Sequence, residues 1–324
     1  MITNIERYSS ILNSIVENIE TVIIGKKETV ELVVLTMASG GHVLIEDIPG
    51  VGKTSLVSSL ARSIDCKFKR IQFTPDIVPS DITGFSIYNQ KTGEFEFRPG
   101  AAMSNFVLAD EINRASAKAQ SSLLEVMEEK QVTVDLKTHK MEEPFMVLAT
   151  QNPIESLGTY QLPEAQIDRF QVKVSLGYPG REEEAQIISM KNEEKKELKA
   201  VADAENIVCI KNAVKDILVS DAVKKYIVDI VYASRNHKDI FLGASPRGSI
   251  ALYNMGQALA FYRGREYVIP DDIKYLAPHV LPHRFILTHE ARISKKSRSD
   301  IIEEILREVE VPINKKYREQ RKNA

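Results

Sequence analysis

The chain has no tryptophan, only two cysteines, and no apolar run near the ~20 residues a membrane-spanning helix needs. Each absence removes a class of function. Cys66 and Cys209 lie far apart in sequence and fit no metal-ligand spacing, which leaves small buried thiols in a reducing compartment. Net charge is scarce too: 43 lysines and arginines nearly balance 45 aspartates and glutamates, for a formal charge of -2. Such a balance gives no global attraction to nucleic acid or to anionic membranes, and no basic, aromatic-studded tract stands out. The opening MITNIERYSSIL lacks a basic region followed by a long apolar stretch, so no signal peptide is expected and the cytoplasm is the predicted location. What is present is ordinary for a globular protein. Hydrophobic residues make up 43% and charged residues 27% of 324 positions, enough chain for two domains.

Short apolar runs alternate with helical patterns through the first part of the chain. GHVLIED, KFKRIQF, NFVLADE, EPFMVLATQN and FQVKVSL read as strands, and TSLVSSLARSI and AKAQSSLLEVMEEK as helices between them. Strands separated by helices predict a parallel sheet covered on both faces. Ligands on such sheets bind at the carboxyl ends of the strands. Lys53, Asp110, Glu111 and Asn152 each follow one of these runs and should gather along one edge. FSIYNQKTGEFEF reads as an inserted hairpin whose apolar positions, Phe85, Ile87, Phe95 and Phe97, are expected against the core, the alternative being exposure as contacts for a client. KQVTVDLKTHKMEEPF reads as a second, with its turn near Lys137 to His139. His139 is a lone histidine with no role to assign. The composition changes at Tyr178-Pro179-Gly180, which predicts domains of 1–179 and 180–324. The second opens on a charged linker helix and continues in helical patterns, with Pro246 and Pro270 at helix starts.

The stretch EDIPGVGKTSL follows an apolar strand and opens a helix, the context a phosphate-binding loop requires. Gly50 and Gly52 let the backbone turn so that amides point at phosphate oxygens, and the helix start adds positive potential. Pro49, Val51 and Ser55 complete the loop. Lys53 would reach the β- and γ-phosphates of a bound nucleotide, and Thr54 would place its hydroxyl on Mg2+. Asp47 stands where the general pattern has glycine. A carboxylate that close to an anion site is costly unless it faces away. NFVLADEINRA ends an apolar strand in Asp110-Glu111, and buried carboxylates need partners. Mg2+ would partner Asp110, and Glu111 would polarise the water that attacks the γ-phosphate.

Taken in order, EDIPGVGKT, LADEINRA, ATQNP, LPEAQIDRF and GASPRG resemble the AAA+ ATPases, and within them the MoxR family. The resemblance implies an α/β P-loop nucleotide domain followed by an all-α lid. It implies that Asn152 is the first sensor, that Arg169 is an arginine finger supplied to a neighbouring subunit, and that Arg247 is the second sensor on the γ-phosphate. Ile24 and Gly25 match the segment that packs on adenine, and Arg114 matches a residue at the subunit interface. A finger acting in trans implies a homo-oligomer, a hexameric ring in this family. The implied task is chaperone-like remodelling or metal-cofactor insertion, with a von Willebrand factor A domain protein as partner. No D-x-S-x-S metal-site signature of such a domain occurs in this chain. Two alternatives stay open: a nucleic-acid-associated motor, and a nucleotide-gated scaffold without turnover.

Overall fold

A computed structural model describes residues 5–153, 160–190 and 198–312. The chain divides into two compact units, Glu6–Ala213 and a second beginning at Val214.

The first unit begins with two helices, α1 (Ile5–Glu20) and α2 (Lys27–Ala38). Leu12, Ile15, Val16 and Ile19 recur at helical spacing along α1 and form its buried stripe. There follow β1 (Val43–Glu46), α3 (Lys53–Ser63), β2 (Phe68–Gln72) and the short α4 (Pro79–Thr83). The first hairpin is β3 (Gly84–Asn89) with β4 (Glu94–Pro99), leading into β5 (Phe106–Asp110) and α5 (Ala117–Glu129). The second is β6 (Gln131–Val134) with β7 (Lys137–Lys140), leading into β8 (Met146–Gln151). The unit closes with α6 (Glu164–Ile167), β9 (Val172–Val174), α7 (Arg181–Met190) and most of α8 (Ala204–Lys215).

Five strands form one sheet in the order β2-β5-β8-β1-β9, and every ladder in it is parallel. The interior strand β5 is buried along its whole length and the central β8 along all but its last residue, as expected for strands covered on both faces. Val107, Ala109, Val147 and Ala149 pack with Leu123, Leu124 and Phe170 in the core.

The hairpins correct two expectations. The turn of the second lies at Asp135-Leu136, not at Lys137 to His139. Both turn residues have positive φ, 48° and 65°, the backbone a two-residue hairpin loop needs. Asp-Leu lacks the Asn-Gly signature that normally announces such a turn. In the first hairpin Ser86 pairs with Phe97 and Ile87 with Glu96. That register puts Phe85 and Ile87 on one face and Phe95 and Phe97 on the other, so the four cannot share the core. Phe97 packs against it and stacks on His139 at 3.8 Å. Phe85, Ile87 and Phe95 are exposed.

The boundary differs in place from the composition change at Pro179. Ile207 and Ile210 of α8 are buried, and Lys211 pairs with Glu143 at 2.7 Å, which ties this helix to the first unit. The second unit runs α9 (Asp221–Asn236), β10 (Ile240–Leu242), α10 (Pro246–Tyr262), α11 (Pro270–Val280), β11 (Ile286–Leu287), α12 (His289–Ile293) and α13 (Arg298–Glu308). It is helical as expected, apart from the antiparallel β10–β11 ladder. Pro246 and Pro270 occupy first turns, where a missing N–H costs nothing. No helix among the described residues is long and apolar enough to cross a membrane.

His42, just before β1, is buried and spans the sheet and α5. Its Nδ1 accepts the Val147 N–H at 2.9 Å, and its Nε2 faces the Met127 carbonyl at 3.1 Å. The ring therefore sits as the neutral Nε2–H tautomer. Burial, with Lys130 and Lys211 adding like charge, lowers its pKa from 6.5 to about 4. The unfolded chain binds this proton near pH 6.5 and the folded chain only near 4, so acidification favours unfolding. Between pH 6.5 and 5 this one group should cost about 1.5 kcal/mol of stability. Urea unfolding across that window should show the loss, and the His42→Gln protein should lack that part of the slope.

Candidate functional site

The strand β1 runs out at Glu46 into a loop that ends at the first turn of α3. Gly50 has φ +87° and Gly52 φ +96°, a region that L side chains rarely adopt. A Cβ at Gly50 would meet nothing within 4 Å, so backbone conformation and not space demands glycine there. Gly52 caps α3, whose first-turn amides have no intrahelical acceptor and would offer an anion the positive end of the helix. Pro49, Gly50, Thr54 and Ser55 are open to solvent, while Val51, Gly52 and Lys53 are half-buried. Lys53 Nζ donates to the Asp47 carbonyl at 3.0 Å, which draws the ammonium across the loop. Asp47 itself is buried, and its carboxylate faces away from the loop. It accepts the N–H of Leu176 at 2.5 Å and of Gly177 at 2.8 Å.

On the far side of β8, β5 ends in Asp110, and Glu111 follows with φ +57°. One buried hydroxyl holds this corner. Thr150 Oγ1 donates to Asp110 Oδ1 at 2.6 Å and accepts the Glu111 N–H at 2.8 Å. The other oxygen of Asp110 takes Arg70 from β2, through Nε at 3.1 Å and Nη2 at 2.5 Å. Glu111 Oε2 accepts from the Gln72 amide at 2.9 Å and from Arg114 at 3.0 Å. Asn152 is buried directly after β8. Strand order thus sets the loop, Asn152 and the acidic pair at the ends of three adjacent strands, β1, β8 and β5.

The donor set suits a hard divalent cation. The Thr54 hydroxyl is exposed beside the loop, and Asp110 already neutralises a cationic side chain with one oxygen. Ile24 and Gly25 lie between α1 and α2. Ile23 Cδ1 is 3.9 Å from the position a Cβ would take on Gly52, which places this segment against the loop. Arg169, after α6, pairs with Glu128 and donates to the Leu124 carbonyl at 2.9 Å. It lines a cleft of about 290 Å³ with Ser121, Glu125 and Gln166. Arg247 is exposed in the first turn of α10, in the second unit.

Sequence reasoning missed Arg70, Gln72, Thr150 and Glu128. Arg70 and Gln72 are alternate residues of β2, so they share one face of an edge strand. That signal becomes useful only once β2 is known to lie beside β5.

Residues 42–172 match the family described as "ATPase family associated with various cellular activities", and residues 232–305 match the AAA lid domain. Over 303 residues the chain is 42% identical to Chaperone MoxR1 of Mycobacterium tuberculosis, covering 91% of this chain and 80% of that one. The chain belongs to the MoxR family of AAA+ ATPases. Among other relatives, this MoxR-family chain is 50% identical to the protein YeaC of Bacillus subtilis, over 94% of its own length and 96% of the relative's. A crystal structure of a candidate ATPase from Cytophaga hutchinsonii superimposes with a TM-score of 0.90 at 40% identity, covering 96% and 97% of the two chains.

Thr150 is the buried pivot of the acidic corner. Thr150→Val keeps the shape and leaves an Asp110 oxygen and the Glu111 N–H without that partner. The expected cost is about 1–3 kcal/mol of unfolding free energy, read from the urea midpoint at constant slope.

Proposed function

We propose that this chain binds ATP with Mg2+ in the loop Pro49–Ser55 and hydrolyses it as part of a homo-oligomer. The observation that carries the reading is the strand order β5-β8-β1. It lines up a glycine-turned anion loop, a buried asparagine and two carboxylates at the carboxyl ends of neighbouring parallel strands, where ligands of such sheets bind.

Lys53 would leave the Asp47 carbonyl for the β- and γ-phosphates. Thr54 and Asp110 would hold Mg2+, which would supply positive charge against the charge that develops on the phosphates. Asp110 would exchange Arg70 for that role. Glu111 would polarise the attacking water once Gln72 and Arg114 release its oxygen, and Asn152 would orient that water. Ile24 and Gly25 would form the adenine side, and Arg247 would come from the lid to the γ-phosphate. Arg169 would serve the neighbour's nucleotide, exchanging Glu128 for phosphate, and Arg114 would lie at the same interface. The work would be chaperone-like remodelling or metal-cofactor insertion in the cytoplasm. A hexameric ring and a partner with a von Willebrand factor A domain are the family's expectation for this chain. A nucleotide-gated scaffold without turnover would keep Glu111 clamped by Gln72 and Arg114 with ATP bound, and the phosphate-release assay separates the two.

Lys53→Ala should abolish ATP binding in a calorimetric titration while the fold survives. Glu111→Gln should bind ATP normally and release no phosphate, since glutamine keeps the shape and loses the charge that polarises water. Unchanged affinity in the first, or wild-type turnover in the second, would reject the assignment. The ATP-loaded Glu111→Gln protein is also the bait of choice for capturing the partner.

Arg169 separates chemistry from surface pairing by size of effect. Loss of a half-exposed ion pair costs about 0.2–1 kcal/mol of stability and leaves turnover alone. Loss of an arginine finger slows hydrolysis by about 10³–10⁵-fold. The Arg169→Ala subunit should still bind ATP. Mixing it with Lys53→Ala subunits should restore activity in proportion to protein concentration. A mixture that stays inactive, although mixed oligomers form by native mass spectrometry, would remove the role in trans.

A further inference from the structure

Asp47 breaks the general loop pattern, and its surroundings say what the carboxylate does instead. It is 5% exposed. Oδ2 accepts three donors from the chain leaving β9: the N–H of Leu176 at 2.5 Å, the N–H of Gly177 at 2.8 Å and the hydroxyl of Ser175 at 3.2 Å. Oδ1 accepts the N–H of Ile48 at 2.9 Å. The main chain of the same residue holds two more parts of the site. Its N–H donates to Gln151 O, next to Asn152, at 3.1 Å, and its carbonyl takes Lys53 Nζ at 3.0 Å. One residue therefore ties the phosphate loop to the ends of both β8 and β9.

The β9 exit is in turn bound to the segment ahead of α2 and to the first turn of that helix. Lys26 Nζ donates to the Tyr178 carbonyl at 2.9 Å, and Thr29 Oγ1 to the Ser175 carbonyl at 3.2 Å. Gly25 lies so close to Glu183 that a Cβ there would fall 1.9 Å from its carboxylate oxygen. Ile23 reaches back to Gly52. The path Ile23–Lys26, Ser175–Tyr178, Asp47, phosphate loop is thus continuous through hydrogen bonds and contacts.

We propose that Asp47 is a positioning residue that joins the adenosine-facing segment Ile23–Lys26 to the phosphate loop, so that a nucleotide meets both as one rigid wall. The proposal rests on the nucleotide reading given above. A buried acceptor with four donors fixes backbone on both sides of it, and a ligand that touches both sides then pays less ordering entropy. The negative charge near the phosphates is tolerated because it is spent on four donors, three of them on the β9 exit rather than in the loop. Glycine at this position, as in the general pattern, would leave the amides of Leu176 and Gly177 without this acceptor.

The test compares two ligands on the full chain, ATP and inorganic tripolyphosphate, which has the phosphates without the adenosine. Asp47→Asn keeps the shape but cannot accept at both ends of the side chain. ATP affinity by calorimetry should fall about ten- to a hundredfold, as for a lost hydrogen bond to a charged group. Tripolyphosphate affinity should change much less, so the preference for ATP shrinks. A purely structural role would lower the melting temperature and leave that preference intact, and a merely repulsive carboxylate would give tighter ATP binding in the variant. Either result overturns the proposal. A second measurement uses the wild-type protein, so it stands even if the variant misfolds. Tripolyphosphate alone should slow amide hydrogen exchange at Leu176 and Gly177 as well as in the loop, and protection confined to the loop would also overturn the proposal. Failure of the nucleotide reading looks different: wild type would bind neither ligand, or Lys53→Ala would bind both as well as wild type.

Discussion

The site depends on the parallel pairing of β1, β8 and β5 through main-chain hydrogen bonds. Parallel strands end on the same side, so whatever follows each one is delivered to a common edge. The register is close: Glu46 stands opposite Gln151, and Ala109 opposite Ala149. A one-residue slip of β8 would turn the Thr150 hydroxyl away from Asp110 and bury a different side chain in its place. The observed register of β5 and β8 therefore places polar residues that take no part in the core.

Polar chemistry at the edge is organised by substitution. Asp110, Glu111 and Arg169 each already have a partner that stands in for what the proposed reaction would bring. Arg70 stands at Asp110 for a metal, Gln72 and Arg114 stand at Glu111 for water, and Glu128 stands at Arg169 for a phosphate. These pairings satisfy groups that would otherwise be costly to leave at a half-buried edge. Asp47 differs, because its donors, three backbone amides and the Ser175 hydroxyl, belong to the frame of the fold and no ligand replaces them.

The apolar rhythm of the strands, the Gly-Lys-Thr loop and the acidic pair after NFVLA were legible in the sequence because each is a local pattern. Pro246 and Pro270 marked helix starts for the same reason. What was not legible depended on pairing between distant segments. Arg70 and Gln72 look like ordinary edge-strand polar residues until β2 is set beside β5. The apolar residues of the first hairpin divide between two faces because of the Ser86–Phe97 register, which no spacing within either strand reveals. The Asp135-Leu136 turn escaped because leucine rarely accepts positive φ. The end of the first unit was hidden by the charged composition around α7, while the three-dimensional contacts of α8 carry it on to Ala213.

The pairing at the edge also bears on how fast a nucleotide arrives. Glu46 is matched by Lys173, Asp110 by Arg70 and Glu111 by Arg114, while the Asp47 carboxylate is held by its four hydrogen-bond donors and Lys53 sits on its main-chain carbonyl. With the charges balanced within a few ångströms, little field extends beyond the Debye length of about 8 Å at physiological salt. Long-range steering, which speeds association where one sign of charge dominates a cleft, has little to act on here. Capture at this edge is then governed by short-range fit after a random encounter, and its rate should vary only weakly with ionic strength.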